Sequence, residues 1–498
     1  MTATRKFELQ QLLPEAVGTP LASLVIGGLS QDSRCVREGD LFFARSGTRH
    51  RGLDFVAAAA EQGAVAALVD RAELEGLAVQ APIPLLAVDD LAFRIGEVAS
   101  RFYGEPSRQL TMIGVTGTNG KTSCSHYIAQ ALNDAGVRSA LLGTVGNGFP
   151  GALVAASHTT PDPIALQRLL AEFVAEGAAA AVMEVSSHAL EQGRVSGIAF
   201  DIAAFSNLSR DHLDYHGSME AYGEAKARLF DAMDVPLQAI NADDAFGRTL
   251  IGRRGSHVRE AVRFGSDAKL DLYPLDSRLD ASGLAARLQT PAGVIEVGNR
   301  LLGHFNLSNL MLCASVLYLA GLAPEAIRQG LNRLQPVSGR MECFGGGDQP
   351  LVVVDYAHTP DALEKALEAL VEHVEGELWC VFGCGGDRDT GKRAEMGAIA
   401  ARLAHRVRVT SDNPRTEDPQ RIIEMIVAGT AGAREVAVQA DRAQAIREAI
   451  LDARPGDIVL IAGKGHEDYQ EINGRRFPFS DQQVARDALA QRNGEQAG

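Results

Sequence analysis

The apolar run Leu110-Thr-Met-Ile-Gly-Val115 passes directly into Thr116-Gly-Thr-Asn-Gly-Lys121-Thr122, followed by a helix-compatible segment at 123–135. That order suits the holding of phosphate. Glycines let consecutive backbone N–H groups converge on one anion, and the helix behind adds the positive end of its dipole. Lys121 supplies a point charge for the β- and γ-phosphates, and Thr122 offers a hydroxyl to Mg²⁺. The strict phosphate-loop pattern asks for glycine five positions before Gly120, where Val115 stands. A second acid fits the same chemistry. The run Ala178-Ala-Ala-Ala-Val-Met183 ends in Glu184, and the carboxyl end of a buried parallel strand is where a Mg²⁺ partner is expected. Ser186-Ser187-His188 follows without the Gly-x-Ser-x-Gly elbow, so a serine nucleophile is not read there.

Three further clusters carry reactive types. Asp211-His-Leu-Asp-Tyr-His216 lacks a third ligand at metal spacing. A role in the nucleotide site and a plain surface loop both stay open. Asp412-Asn-Pro-Arg415 joins an arginine, whose rigid fork pairs with a carboxylate, to an acid able to hold an ammonium group. Gly463-Lys-Gly-His-Glu467 repeats the theme of close approach plus a carboxylate. Each of these two is also compatible with an ordinary turn. A phosphate loop, Mg²⁺ acids and an amino-acid clamp on two different sheets point to group transfer or ligation rather than a simple switch.

The elements that must position these residues follow from the apolar pattern. Short strands at 24–29, 40–44, 66–69 and 84–88, with a helix near 55–62, make a small N-terminal α/β domain over residues 1–90. A helical connection at 91–103 leads into a central domain, 91–337. Its buried strands at 139–144, 179–185, 202–206 and 238–241 alternate with helices at 163–176, 219–233 and 306–320. Continuous apolar strands alternating with helices imply a doubly wound, mostly parallel sheet covered on both faces. The stretch 268–298 is more strand-turn-like and is expected as an antiparallel edge. Past Gln335-Pro-Val-Ser-Gly339, strands at 351–355, 378–382, 406–410, 436–439 and 458–462 predict a Rossmann-like α/β domain over 338–498. Its Gly383-Cys-Gly-Gly-Asp-Arg388 misses the dinucleotide fingerprint, because Arg388 stands where the third glycine belongs.

A chain of 498 residues exceeds one core, consistent with several domains. A net charge of -15 argues against a general nucleic-acid binder. The six cysteines are scattered, and Cys380 with Cys384 has poor zinc spacing. No apolar signal core or membrane-length window is read, so a cytoplasmic protein without membrane insertion is expected. The expected working unit is a monomer.

In order along essentially the whole chain stand Asp32-Ser-Arg34, Gly117-Thr-Asn-Gly-Lys-Thr122, Thr159-Thr-Pro-Asp-Pro163, Glu184-Val-Ser-Ser-His188, Asn207-Leu-Ser-Arg-Asp-His212 and Tyr222-Gly-Glu-Ala-Lys226. Asn241-Ala-Asp-Asp244, Gly303-His-Phe-Asn306, Gly339-Arg-Met-Glu342, Asp355-Tyr-Ala-His358, Asp412-Asn-Pro-Arg415 and Gly463-Lys-Gly-His-Glu467 follow. Together they resemble the Mur ligases of peptidoglycan synthesis, most narrowly the branch that adds meso-2,6-diaminopimelate to UDP-N-acetylmuramoyl-L-alanyl-D-glutamate. Val115 in place of the early glycine is that family's version of the loop. The resemblance implies an ATP-dependent, ADP-forming ligase. The D-glutamate γ-carboxylate attacks the γ-phosphate to give an acyl phosphate, and the amine of diaminopimelate then displaces phosphate, with the C-terminal domain closing over the site. It implies that Ser30, Thr159, Thr160, Ser186, Gln192 and Arg194 take the UDP-dipeptide. Gly117, Thr118, Asn119, Gly120, Lys121, Thr122, Asn306, Arg340 and Asp355 take ATP. Thr122, Glu184, His212 and a carbamylated Lys226 serve Mg²⁺, with Lys121, Glu184, His212 and Lys226 as the catalytic set. Arg388, Asp412, Asn413, Arg415, Gly463 and Glu467 receive diaminopimelate. The implied alternatives are a lysine-adding or folylpolyglutamate synthase-like sister ligase. A nucleotide-dependent binding protein that joins nothing is a reading of a different class.

Overall fold

The computed structural model describes residues 6–47, 50–74, 80–156, 158–280 and 283–496, and the chain divides into two compact units. The first comprises Met1–Asp271 and Leu312–Ala326, the second Leu272–Met311 and Ile327–Gly498.

In the first unit, eight strands form the main sheet. Across it lie Ala152–Val154, Asn147–Phe149, Ser139–Leu142, Ala180–Glu184, Thr111–Thr116, Ile202–Phe205, Leu237–Asn241 and Glu260–Phe264. All run parallel except the hairpin of the first two. Every residue of Ala180–Glu184 and of Ile202–Phe205 is buried, as a sheet covered on both faces requires. The register sets Glu184 beside Val115 and Phe205 beside Thr116. Three strand ends therefore finish level, and the loops that follow them open at one edge.

Helix Pro163–Ala175 packs Leu166, Leu170 and Phe173 into the core under that sheet. It starts where Asp162 accepts from Ile164 N at 3.1 Å and Ala165 N at 3.0 Å, with proline at the first helical position. Asp162→Ala is expected to destabilise the protein by about 1 kcal/mol, the usual worth of such a cap, read as a lower urea midpoint at unchanged slope.

The N-terminal part of the same unit is a four-stranded parallel sheet of Gly28–Ser30, Asp40–Ala44, Ala66–Asp70 and Leu85–Val88. The strand expected at 24–29 breaks at Gly27. Val25–Ile26 pairs antiparallel with Phe7–Glu8, and only Gly28–Ser30 joins the larger sheet. Helix Leu91–Tyr103 repeats Leu91, Ile95, Val98 and Phe102 at helical spacing and buries them on Leu41, Phe43, Ala66 and Leu68.

In the second unit the 268–298 stretch is not an edge of the central sheet. Tyr273–Asp280, Gly283–Thr290 and Gly293–Asn299 form their own three-stranded antiparallel sheet. The alternation of Leu284, Ala286 and Leu288 inward with polar neighbours outward satisfies one buried face. The edge beside Leu237–Asn241 is instead Glu260–Phe264, where Glu260 and Arg263 interrupt the apolar run that marks the other strands. The main sheet of this unit runs Glu342–Gly345, Leu351–Asp355, Ile458–Ala462, Leu378–Phe382, Arg406–Val409, Glu435–Val438, with only the first antiparallel. Ala462 lies level with both Asp355 and Phe382, so the 383–389, 411–417 and 463–467 loops leave the same edge. Arg442 and Asp481, both fully buried, meet at 2.7 Å, and Arg442 also donates to Ala462 O at 3.0 Å. That pair anchors helix Asp481–Gln496 to the strand behind those loops.

Candidate active site

The phosphate-loop strand Thr111–Thr116 turns through Gly117 into helix Lys121–Asp134. Gly117 has φ 145°, and a Cβ there would lie 2.0 Å from Ser206 Oγ, so only glycine lets the loop close on its neighbour. Asn207 holds the loop from the adjacent strand end. Its carbonyl accepts from Thr118 N at 2.8 Å and its side-chain oxygen from Asn119 N at 3.0 Å. Gly120 begins the helix at φ 84°. Lys121 folds back over the turn, donating to Gly117 O at 3.0 Å and Thr118 O at 2.8 Å.

Glu184 is fully buried, and both its oxygens are engaged. Thr122 Oγ1 donates to Oε2 at 2.8 Å, Thr144 N to Oε1 at 2.8 Å, and Thr144 Oγ1 to Oε2 at 3.1 Å. This joins the phosphate-loop hydroxyl to the acid that the strand pattern singled out. Thr144 was missed by the sequence reading, since it is an uncharged residue just past a strand. Its hydroxyl oxygen also lies 3.1 Å from Thr159 Oγ1, from which it accepts. Thr160 Oγ1 donates to Glu184 O at 2.9 Å and accepts from Ser186 N at 3.3 Å. Ser186 caps helix Ser187–Glu191 by accepting from Ala189 N.

From Thr160 the network runs outward. Arg194 donates to Thr160 O at 3.2 Å and twice to Gln192 Oε1, at 2.7 and 3.0 Å. Arg45, another residue the sequence reading missed, donates to Gln192 O at 3.3 Å. Burial, and then the neighbouring Arg194 cation, lowers the Arg45 pKa. Two guanidinium groups thus face one place, and an anion between them relieves their repulsion. Ser30 is held within its own turn. It bonds Asp32 O at 2.9 Å, while Asp32 pairs with Arg34 at 2.7 Å and is held at a pKa of about 2 by that hydrogen-bonded arginine.

Lys226 lies on helix Met219–Asp231 with 1% exposure, and its Nζ donates to Gly117 O at 2.8 Å. Burial, reinforced by the Lys121 cation, pushes its pKa well below the ordinary lysine value. Tyr222 covers it, with Nζ 4.3 Å from the ring centroid and the phenol oxygen 3.2 Å from Thr118 Oγ1. The His212 ring lies 6.0 Å from that of Tyr222 and 4.8 Å from that of His188. Its φ of 53° marks a left-handed turn at the head of helix Leu213–His216.

In the second unit two groups form. Arg340 stacks 4.8 Å above the Tyr356 ring. Beside it, Asp355 accepts from Met341 N at 2.8 Å and Ala357 N at 2.9 Å. Burial raises the Asp355 pKa, and the Arg340 cation and these bonds oppose the rise. Asn306 stays with its own helix region, donating to Leu302 O at 2.7 Å and accepting from Asn309 at 2.9 Å. The other group gathers Asp412, Asn413, Gly463 and Glu467 around Lys464, whose side chain is fully buried. Lys464 Nζ donates to Asn413 Oδ1 at 2.9 Å and Glu467 Oε2 at 3.0 Å, with Asp412 at 3.5 Å. Asn413 also donates to Glu467 at 2.8 Å. Lys464 stands inside a motif the sequence reading singled out, but lysine between glycines gives no sign of burial. Two carboxylates against one ammonium leave this cluster with a net negative charge. Arg415 Nη1 donates to Gly386 O at 2.6 Å, with Glu471 3.7 Å from its Nε. Arg388 is exposed beside it over Gly385.

The comparisons with known proteins agree with this layout. Residues 25–103 match the family model described as "Mur ligase family, catalytic domain", 115–317 the "Mur ligase middle domain", and 339–465 the "Mur ligase, glutamate ligase domain". The chain is 52% identical over 483 residues to the UDP-N-acetylmuramoyl-L-alanyl-D-glutamate--2,6-diaminopimelate ligase of Pseudomonas aeruginosa, covering 97% of this chain and 98% of the relative. The enzyme of that name from Ectopseudomonas mendocina is 50% identical with the same coverage. A solved structure of a protein with that name superposes with a TM-score of 0.75 at 39% identity, over 98% of this chain and 100% of the other. A Mycobacterium tuberculosis folylpolyglutamate synthase shares the fold over 74% of this chain, with a TM-score of 0.61 at 19% identity. Matched segment by segment and across nearly its whole length, this chain belongs to the Mur ligase family.

Proposed function

We propose that the protein is an ATP-dependent, ADP-forming ligase. It joins meso-2,6-diaminopimelate to the D-glutamate γ-carboxylate of UDP-N-acetylmuramoyl-L-alanyl-D-glutamate, as a step in building peptidoglycan precursors. The observation that carries this reading is the pairing of two chemistries in one chain with near-full-length diaminopimelate-ligase relatives. One is a phosphate loop backed by a buried carboxylate. The other is a net negative cluster of side chains next to two arginines.

In this reading the loop residues Gly117, Thr118, Asn119, Gly120 and Thr122, with Lys121, hold the triphosphate, and Asn306, Arg340 and Asp355 hold the rest of the nucleotide. Ser30, Thr159, Thr160, Ser186, Gln192 and Arg194 hold the UDP-dipeptide. Asp412, Asn413, Gly463 and Glu467 receive the reacting ammonium end of diaminopimelate, and Arg388 and Arg415 its distal carboxylate. The mechanical problem is that a carboxylate must approach a polyanion. Lys121 offsets the charge that gathers on the transferring phosphoryl oxygens. The resulting acyl phosphate is attacked by the unprotonated amine, and phosphate leaves.

Mg²⁺ belongs to the same proposal. The Thr122 hydroxyl and Glu184 carboxylate, 2.8 Å apart at the loop, are the hard oxygen donors it takes, with phosphates and water completing its shell. His212 and a carbamylated Lys226 are the remaining candidate holders. When bound, the ion neutralises phosphate charge. The division into 1–90, 91–337 and 338–498, serving the UDP moiety, ATP and the amino acid, is part of the same reading. No helix among the described residues is long and apolar enough to cross a membrane. A cytoplasmic location, where ATP is available and the six thiols stay free, completes the proposal.

Lys226 carries its own prediction. Only an uncharged amine adds CO₂, and burial favours that form. Carbamylation is therefore expected to persist to a lower pH than at an ordinary lysine and to be lost as pH falls through the lowered pKa. Stripping CO₂ is expected to reduce activity, bicarbonate to restore it, and labelled bicarbonate to give a carbamate carbon signal that Lys226→Gln lacks. A labelled signal absent from the active protein removes Lys226 from this role. For the function itself, diaminopimelate and lysine are supplied in parallel with ATP and the UDP-dipeptide. The diaminopimelate adduct is expected to predominate; a lysine adduct in its place identifies the sister activity.

A further inference from the structure

Two loops at one edge of the second unit's sheet, residues 383–389 and 411–417, are joined more tightly than two neighbouring loops need to be. Gly386 N donates to Asn413 O at 2.9 Å, and Arg415 Nη1 returns a bond to Gly386 O at 2.6 Å. The Asp387 carboxylate accepts from Thr416 N at 3.1 Å and from Thr416 Oγ1 at 2.7 Å. Asp387 N in turn donates to Glu417 Oε1 at 2.6 Å. The approach is close enough that a Cβ on Gly386 would sit 2.0 Å from Pro414 O. Beneath both loops lies Arg393, with 1% of its side chain exposed. It forks onto Glu417 at 2.8 and 2.9 Å and donates to Gly385 O at 3.3 Å.

The backbone shows what this joining holds in place. Asp387 and Arg415 both have φ 53°, a left-handed conformation that aspartate tolerates and that is uncommon for a long side chain such as arginine. Each stands in the loop that the other helps to fix. The Arg415 guanidinium and the Arg388 stem flank Gly385, at 2.9 and 3.9 Å from where a Cβ would be. Arg388 makes no hydrogen bond or ion pair among the described residues. The result is one rigid arm carrying two guanidinium groups, one tethered and one ready for a ligand.

We propose that Arg393, Glu417 and Asp387 are positioning residues for acceptor choice, locking the two loops so that Arg388 and Arg415 meet the distal carboxylate of the incoming amino acid at a set spacing. This rests on the acceptor reading given under Proposed function. None of the three touches the acceptor. They act through the arm, and a fork displaced by a fraction of an ångström loses its two-pronged grip on a carboxylate. Lysine, which lacks that carboxylate, gains nothing from the arm's rigidity.

The test uses the full-length protein and steady-state kinetics with each substrate varied in turn, for Glu417→Gln, Asp387→Ala and Asp387→Asn. Asp387 is exposed, so its variants keep the fold; melting curves verify this. Expected is a rise of about tenfold or more in KM for diaminopimelate, in line with the cost of small misplacements. KM for ATP and for the UDP-dipeptide stays within about twofold, and the weak use of lysine is unaltered. Asp387→Asn, which keeps one acceptor oxygen for Thr416, recovers part of the loss. Folded variants whose diaminopimelate KM stays within about twofold of the unmodified protein overturn the proposal, as does an equal rise in all three KM values. If the unmodified protein does not join diaminopimelate, the acceptor reading itself fails, which is visible before any variant is made.

Discussion

Lys121→Ala is expected to lower kcat by about 10³-fold, equivalent to about 4 kcal/mol of transition-state stabilisation. The side chain folds over the phosphate loop, its ammonium donating to the carbonyls of Gly117 and Thr118. A carboxylate attacking phosphorus adds negative charge to oxygens that already repel it, and in the proposed reaction this lysine supplies the positive charge that answers it. Removing it leaves the fold intact, because helix Lys121–Asp134 buries other residues, among them Thr122, Cys124 and Ile128. The loss therefore falls on kcat, while the dipeptide and amino acid still bind. Lys121→Arg is not expected to restore the rate, since a planar fork cannot reproduce a compact ammonium in so small a turn. Single-turnover ADP formation checks this, and a loss below about tenfold means the loop's charge is supplied elsewhere.

Arg415→Ala is expected to cut kcat/KM for diaminopimelate by about 100-fold, or about 2.7 kcal/mol, within the range for truncating one partner of a desolvated charge pair. The guanidinium is tethered to Gly386 O through Nη1, with Glu471 3.7 Å from its Nε, and in the proposed reading its remaining N–H groups take the ligand. Diaminopimelate brings a carboxylate to that fork, whereas lysine brings nothing that pairs with it. The same variant is therefore expected to leave lysine use unchanged and so to narrow the preference. Parallel kinetics with both amino acids decide the matter, and an unchanged value for diaminopimelate removes Arg415 from the specificity account.

Legibility in the sequence tracked how local each signal is. The strand ending at Glu184 and the loop from Gly117 to Thr122 stood out because a buried parallel strand is an unbroken apolar run and a phosphate loop is a compact pattern. Their side-by-side placement then followed from the register. The split at Gly27 was not legible, because a single residue decides which of two sheets each half of the strand joins. The independence of the three-stranded sheet was hidden for a similar reason, since alternation gives a strand's face but not its partner. Asp162 and Asp244, read as motif residues, prove to be helix caps. Thr144, Arg45, Lys464 and the buried pair Arg442–Asp481 depend on contacts between segments far apart in the chain, where composition is silent. Lys226 looks in the sequence like a lysine on a solvated helix face, and burial alone sets it apart.

The most direct test of the central claim follows an oxygen atom. With the D-glutamate γ-carboxylate of the UDP-dipeptide labelled by ¹⁸O, and with ATP, Mg²⁺ and diaminopimelate present, one labelled oxygen is expected to appear in each inorganic phosphate released. An equal amount of the diaminopimelate adduct, keeping the other labelled oxygen, is expected alongside it. Unlabelled phosphate, or ADP formed at the same rate whether or not the two acceptors are supplied, contradicts the account.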